Sequence, residues 1–375
     1  MNLERELVTI RKVSKIEPIA NADNIELAIV DGWQCVVKKG EFQVGDEGIY
    51  FEIDSFIPFK DPIFEFLRKN AITWRGVEGV RIKTIKLRGQ ISQGLLLPIT
   101  CIPPTTRRDP ESLAWYFGVE KWERDGPIQE IRYDSWIDNI IRFFTPNKYR
   151  PAVFKFIYGF ILPPKKLKAK GSFPDFIPKT DEERIQNIIN KKLGCEDEYE
   201  VTGKLNGSSM TVYVKDGRFG FCSRNVKLGL EGGSRFAEVV KKYSLHEVLP
   251  KFLIDRNIAI QGELCGPGIQ ANYEELYELE FFVFRIYDID AKRYYNPEEK
   301  HKFLRELWEY GIHLYSVPLV GRYMLSKFAN IQDYLDFAEG PSINVKKREG
   351  VVFQRIDGGD SFKVIANSYL LKGGD

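Results

Sequence analysis

The sequence predicts an α+β protein in two folded parts: a small antiparallel β-barrel in front and a larger domain of mixed strands and helices behind. Three observations carry this reading. Short alternating apolar strands with turn punctuation fill residues 1–105 without a helical period. Prolines then interrupt the chain over 106–170. From 171 to 375, strand patterns and amphipathic helices interleave. A chain of 375 residues also exceeds one average domain.

The elements follow in order. Val8, Ile10 and Val13 mark a first strand. Ile25, Leu27 and Ile29 alternate, Asp31-Gly32 turns, and Trp33, Cys35 and Val37 alternate again. Asp-Gly tolerates the positive φ angles of a tight hairpin, so this pairing has a local cause. Ile49, Phe51 and Ile53, then Val80, Ile82 and Leu87, then Leu95 and Leu97 complete the barrel. Over 106–170, apolar clusters such as Trp136, Ile137, Ile140, Ile141, Phe143 and Phe144 fit short helices in a connector. A helix should then start from a Thr180 or Asp181 cap, with Glu182 and Glu183 in its first turn. Its face is Ile185, Ile188, Ile189 and Leu193, and Gly194 stops it. Strands are expected at 199–205, 210–214, 219–223, 258–264, 281–289, 351–354 and 362–365, and helices at 234–243 and 297–310.

Composition narrows the function classes. Lys and Arg number 55 against 53 Asp and Glu, so a nucleic-acid surface must be local rather than global. The run Pro163-Pro164-Lys165-Lys166-Leu167-Lys168-Ala169-Lys170 is either such a surface or a solvated linker. Cysteines 35, 101, 195, 222 and 265 are scattered without a Cys-x-x-Cys pair, which fits reduced thiols in a cytoplasmic or other reducing compartment. Histidines 246, 301 and 313 lack metal-ligand spacing, which argues against structural zinc and a histidine-based nucleophile. The polar start argues against a secretory leader, and no apolar run has the length of a membrane span.

The chemistry gathers around Lys204, in Thr202-Gly203-Lys204-Leu205-Asn206-Gly207-Ser208-Ser209, where a strand breaks into a glycine-and-serine turn. Arg224 follows in Ser223-Arg224-Asn225, Glu263 in Gln261-Gly262-Glu263-Leu264, Glu349 in Arg348-Glu349-Gly350-Val351-Val352, and Lys363 in Ser361-Phe362-Lys363. A lysine nucleophile, a basic residue, two carboxylates and a last lysine suit transfer of a nucleotide onto an amine. Phosphoryl transfer asks a protein mainly for positioning and charge neutralisation. The amine attacks only when neutral, so burial and nearby positive charge, from Lys363 and a bound metal, should lower the Lys204 pKa. Plain structural alternatives stand beside these roles. Phe284 fits a core strand, Arg224 an exposed hairpin, and Arg184 a solvated helix face.

This order of residues resembles the lysine-nucleotidyltransferase superfamily of ATP-dependent ligases and capping enzymes. The stretch Asn21-Ala22-Asp23-Asn24-Ile25-Glu26-Leu27 with Gly32-Trp33 resembles OB-type RNA-binding modules. Together with Ile91-Ser92-Gln93-Gly94-Leu95-Leu96-Leu97-Pro98 and Pro178-Lys179-Thr180-Asp181-Glu182-Glu183-Arg184, the chain looks most like the family-five RNA ligases, the nick-sealing type of Deinococcus and Naegleria.

The resemblance implies an OB-like barrel followed by a nucleotidyltransferase domain. It implies Lys204 and Lys363 as catalytic residues. Arg184, Thr202, Leu205, Asn206, Arg224, Glu263, Phe284 and Glu349 would complete the ATP site. Glu263 and Glu349 would serve Mg2+ or Mn2+. It implies a monomer acting on nicked duplex RNA or an RNA/DNA hybrid. Two departures stand out: Asn206 replaces the aspartate of Lys-x-Asp-Gly, and Ser361 stands where a further lysine is common. Only twelve residues follow Lys363, so a second OB domain behind the catalytic one, as in DNA ligases and capping enzymes, is not expected. Those enzymes, and a non-catalytic RNA-binding protein, remain the alternatives.

Overall fold

The computed structural model describes residues 6–104, 113–123, 131–132, 165–166, 170–231 and 233–371. The helices expected around Trp136–Phe144, and most of the 163–170 lysine run, lie outside these residues.

The front part is built from two antiparallel sheets and a hairpin. One sheet runs Leu95–Pro98, Glu47–Phe51, Val8–Pro18, Ile25–Val30, Trp33–Lys38 in spatial order. The second places Glu120–Lys121 beside Ser55–Pro58, so part of the expected connector extends the barrel. The Asp-Gly signal has its expected cause: Val30 pairs Trp33, and Asp31 and Gly32 take φ of 47° and 81°. Arg75-Gly76 and Arg88-Gly89 make turns with the same positive φ at both positions. Trp33, Tyr50, Phe51 and Phe64 are buried in the interior, with Trp33 and Tyr50 stacked at 5.6 Å.

The rear part holds two sheets that face one another. The larger contains Arg218–Ser223, Ser208–Lys215, Ile258–Cys265 and Glu280–Asp288 as consecutive antiparallel neighbours. The smaller runs Glu183–Arg184, Ser361–Ile365, Gly350–Arg355, Glu198–Lys204, Leu319–Met324. Helices Arg235–Lys242, Leu245–Phe252 and Pro297–Glu309 bury their apolar faces on the larger sheet. Pro297 opens the last of these behind a reciprocal Asn296–Glu299 capping box. Helices Ile185–Lys192 and Ile331–Ala338 cover the smaller sheet, over a core where Phe353 stacks on Phe362 at 4.7 Å. That aromatic pair adds roughly 0.5–1.5 kcal/mol beyond its area burial.

One expected element differs. The helix begins at Ile185, and neither Thr180 nor Asp181 caps it. Glu183 and Arg184 are extended instead and pair in parallel with Phe362 and Lys363. The acidic run is spent on cations: Asp181 pairs Lys363, Arg224 and Lys121, and Glu182 pairs Arg285 at 3.0 Å. Arg184 is therefore not a solvated helix arginine; it is 6% exposed at the helix start. Gly194, at φ 76°, does end the helix.

The two parts meet along this helix. Arg11 Nη1 donates to Asp31 at 2.8 Å and to the Gln186 carbonyl at 3.2 Å. Asn187 Nδ2 donates to Glu52 at 2.8 Å and to Glu183 at 2.7 Å. The Arg184 guanidinium lies 5.4 Å from the Trp33 ring centroid.

Candidate active site

The two facing sheets of the rear part enclose a cavity of about 430 Å³. Its first wall comes from the smaller sheet. Thr202 stands opposite Val352, Val352 opposite Lys363, and Lys363 beside Arg184. Residues two apart on a strand share a face, so Thr202 and Lys204 both reach the cavity. Lys204 itself faces Gly350. A Cβ on Gly350 would lie 2.1 Å from the Val364 carbonyl oxygen, so only glycine permits this strand approach.

The second wall comes from the larger sheet. Glu263 pairs with Ser209 on one side and Phe282 on the other. A bulge between Gln261 and Gly262 shifts the register against Glu280–Asp288. Phe284 and Arg285, consecutive in the chain, then both line the cavity, because a bulge re-aims the side chains beside it.

Of the ten residues singled out from sequence, the structure brings nine to the cavity wall: Thr202, Lys204, Leu205, Asn206, Arg224, Glu263, Phe284, Glu349 and Lys363. Arg184 lies behind the wall, yet close enough for its charge to act on Lys204. Asn206 donates from Nδ2 to the Tyr369 hydroxyl. Sequence reading missed Arg285, which is 8% exposed, donates to Ser361 and pairs Glu182. Its signal was present: one cation inside Phe281-Phe282-Val283-Phe284-Arg285-Ile286 is buried and needs a partner. Arg285 also puts a positive charge beside Ser361, where the sequence lacked one.

The electrostatics centre on one pair. Lys204 Nζ lies 2.5 Å from Glu349 Oε1. Burial pulls the Lys204 pKa down, but Glu349 and Glu263 outweigh burial and hold it above the ordinary lysine value. The protein's own groups do not give the lowered pKa expected with Lys363 and a bound metal: the carboxylates dominate, and the cation opposing them is Arg184 rather than Lys363. Burial pushes the Glu263 carboxyl up to about 8, with Glu349 adding to the rise and Lys204 and Arg224 opposing it. Burial would also raise Asp181, but Lys363, Arg224 and Lys121 hold it well below the carboxylate range.

A divalent cation fits this arrangement. Glu263 and Glu349 both line the cavity beside Lys204, two carboxylates available to one ion. Among the described residues no group of three histidine, cysteine or acidic side chains forms a ready metal cage. Two carboxylates suit an ion that keeps water or substrate oxygens in its shell.

An OB-fold domain model matches residues 7–99, and the RNA ligase family model matches residues 197–365. Among solved structures, Naegleria gruberi RNA ligase aligns over nearly the whole chain. A lysine-to-methionine variant of it, with AMP and Mn, is 37% identical, covers 99% of this chain and 100% of its own, and superposes with a TM-score of 0.77. A lysine-to-alanine variant with ATP and Mn is 38% identical, covers 98% of each chain, and has a TM-score of 0.76.

The chain belongs to the RNA ligase family.

A third Naegleria gruberi RNA ligase structure, with PPi, is 38% identical over 98% of each chain at a TM-score of 0.75. A search of curated proteins gave no match. The ligase thus has an OB-fold in front and an RNA ligase domain behind, the α+β architecture that its sequence predicts. Among the described residues, no helix of the ligase is long and apolar enough to cross a membrane.

Proposed function

We propose that this RNA ligase seals 3′-hydroxyl and 5′-phosphate ends at nicks in duplex RNA or an RNA/DNA hybrid, using ATP and a nucleophile at Lys204. The observation that carries this is the Lys204–Glu349 contact at the cavity wall, with Glu263 facing it. The relatives' complexes with ATP, AMP and Mn support the choice of nucleotide and of a divalent ion, Mn2+ or Mg2+.

In the first step neutral Lys204 Nζ attacks the α-phosphorus of ATP. A phosphorus–nitrogen bond forms, the bond to the bridging oxygen breaks, and pyrophosphate leaves with its electron pair. Lys363 stabilises charge as it develops on the α-phosphate, Arg224 holds phosphate oxygens, and Arg184 adds positive charge from behind the wall. Phe284 stacks on the base, while Thr202, Leu205 and Asn206 frame the ribose and the nucleophile turn.

Glu263 and Glu349 would hold the divalent ion, which supplies charge neutralisation at the phosphates. Their negative charge would then no longer hold the Lys204 proton, which must leave before attack.

In the second step an oxygen of the RNA 5′-phosphate attacks the lysine-bound phosphorus. The phosphorus–nitrogen bond breaks, the amine regains a proton, and an AMP–phosphate anhydride forms. In the third step the 3′-hydroxyl oxygen attacks the activated 5′-phosphorus. A phosphodiester forms, AMP departs and the hydroxyl proton is lost to solvent.

The ligase is proposed to act as a monomer. The OB-fold would contact the duplex backbone, and an A-form surface with its 2′-hydroxyls would give preference for RNA on the 3′-hydroxyl side. The described cysteines are all unpaired, which supports a reducing compartment. Sealing assays on matched nicks, with RNA or DNA on each side, test the substrate reading. Faster sealing with RNA at the 3′-hydroxyl side supports it. Equal rates on every nick, or sealing of single strands alone, contradict it.

A further inference from the structure

We propose that Glu274 is a positioning residue for the nucleophile: it fixes the turn after Lys204 against the chain that leads into Glu349. The inference rests on the reading of Lys204 as nucleophile.

Lys204 and Glu349 are 145 residues apart in sequence, yet the site needs them in contact. The turn at Leu205-Asn206-Gly207 lies beyond the end of the Glu198–Lys204 strand, with Leu205 buried in an apolar cluster and the Asn206 side chain on Tyr369. The segment between Ile258–Cys265 and Glu280–Asp288 adds hydrogen bonds to the turn's backbone. Glu274 Oε1 accepts from the Asn206 amide at 3.4 Å, and Gln270 Nε2 donates to the Gly207 carbonyl at 2.9 Å.

The same segment grips the other side. Tyr273 donates from its hydroxyl to the Lys347 carbonyl at 2.6 Å, and Asn344 Nδ2 donates to the Glu275 carbonyl at 3.4 Å. Ser342 and the Ile343 amide approach the Glu274 carboxylate as well. One short stretch therefore brackets the turn behind the nucleophile and the run-in to its carboxylate partner.

Glu274 is the member of this bracket that a merely structural account explains least. It is 1% exposed, and its Oε2 makes no hydrogen bond of normal geometry. A carboxylate is costly to bury unless hydrogen-bonded, and the partners of Glu274 are the Asn206 amide and the 342–343 chain, the two sides that the segment brackets. Burial accordingly raises its pKa, with Glu349 adding to the rise. Glu274 does not line the cavity, so it acts through Asn206 rather than on the nucleotide. The turn has little slack: a Cβ on Gly207 would lie 2.4 Å from the Leu264 carbonyl oxygen.

The test compares Glu274→Ala and Glu274→Gln in the full-length protein, by single-turnover labelling with α-labelled ATP and by equilibrium ATP binding. Glu274→Ala should slow lysyl-AMP formation at saturating ATP by about tenfold or more while ATP affinity changes less than about threefold. Glu274→Gln keeps an acceptor for the Asn206 amide and should recover to within about threefold of wild type. An alanine variant that labels at the wild-type rate overturns the inference. So does a loss confined to ATP affinity, or a glutamine variant no better than alanine. Absence of label on wild type would instead overturn the reading of Lys204 itself.

Discussion

Lys204 Nζ lies 2.5 Å from Glu349 Oε1, where Lys204 ends its strand opposite Gly350, the residue after Glu349. Glu349 and Glu263 together outweigh burial and keep the amine charged. In the proposed reaction the Lys204 proton has to leave before attack, and a divalent ion held by the two carboxylates would weaken their hold on it. Formation of lysyl-AMP should rise about tenfold per pH unit on the acid side of the lysine pKa, and should need added Mn2+ or Mg2+. Glu349→Gln should shift that limb to lower pH while cutting the plateau rate by roughly a hundredfold. A pH profile unmoved by the substitution would separate Glu349 from control of the amine.

Glu263 gives a second pH signature. Its folded pKa, about 8, stands above that of an unfolded glutamate. It thus contributes stability that is fully present below the unfolded value and is lost as pH rises through about 8. Binding of a divalent ion must displace its proton, so ion affinity should climb over that window with proton release. Calorimetry in two buffers of different ionisation enthalpy measures the release. Thermal melts of the ion-free ligase should lose less stability toward alkaline pH in Glu263→Gln than in wild type.

The legible part of this protein was what local chemistry dictates. Asp31-Gly32 specifies its hairpin, Pro297-Glu298-Glu299 opens a helix, and Lys204 stands at a strand end beside glycine. What was not legible depends on partners distant in sequence. The acidic run at Asp181–Glu183 reads as a helix start, because nothing local says that Lys363, Arg224 and Arg285 will claim it. Arg184 reads as a helix residue until Phe362 and Lys363 offer a strand to pair with. The direction of the Lys204 shift likewise depends on how closely two carboxylates crowd one amine, which spacing along a chain does not state.

Trp33 links the OB-fold to the rear part through Arg184, 5.4 Å from its ring. The ring is fully buried, so Trp33→Ala should cost about 3–5 kcal/mol in denaturant unfolding. It should also slow lysyl-AMP formation several-fold, because Arg184 loses the surface that seats it. Trp33→Phe keeps an aromatic face and should restore most of the rate. An unchanged rate in a folded alanine variant would show that Arg184 is held by other contacts.

Gly350 tests the strand geometry beside Lys204. Gly350→Ala places a Cβ against the Val364 carbonyl and must push the 361–365 strand away. Overpacking of this kind costs about 1–3 kcal/mol. Lys363 sits on the displaced strand, so labelling should fall more than stability explains. Melting and labelling measured on the same preparation distinguish the two effects.

The central claim is that Lys204 takes the nucleotide. Its most direct test is incubation of the ligase with α-labelled ATP and Mn2+ or Mg2+, denaturation, and mapping of the labelled peptide, with Lys204→Ala alongside. Acid-labile label is expected on the peptide containing Lys204 in wild type and none in the variant. Label on another residue, or equal label on both proteins, would contradict it.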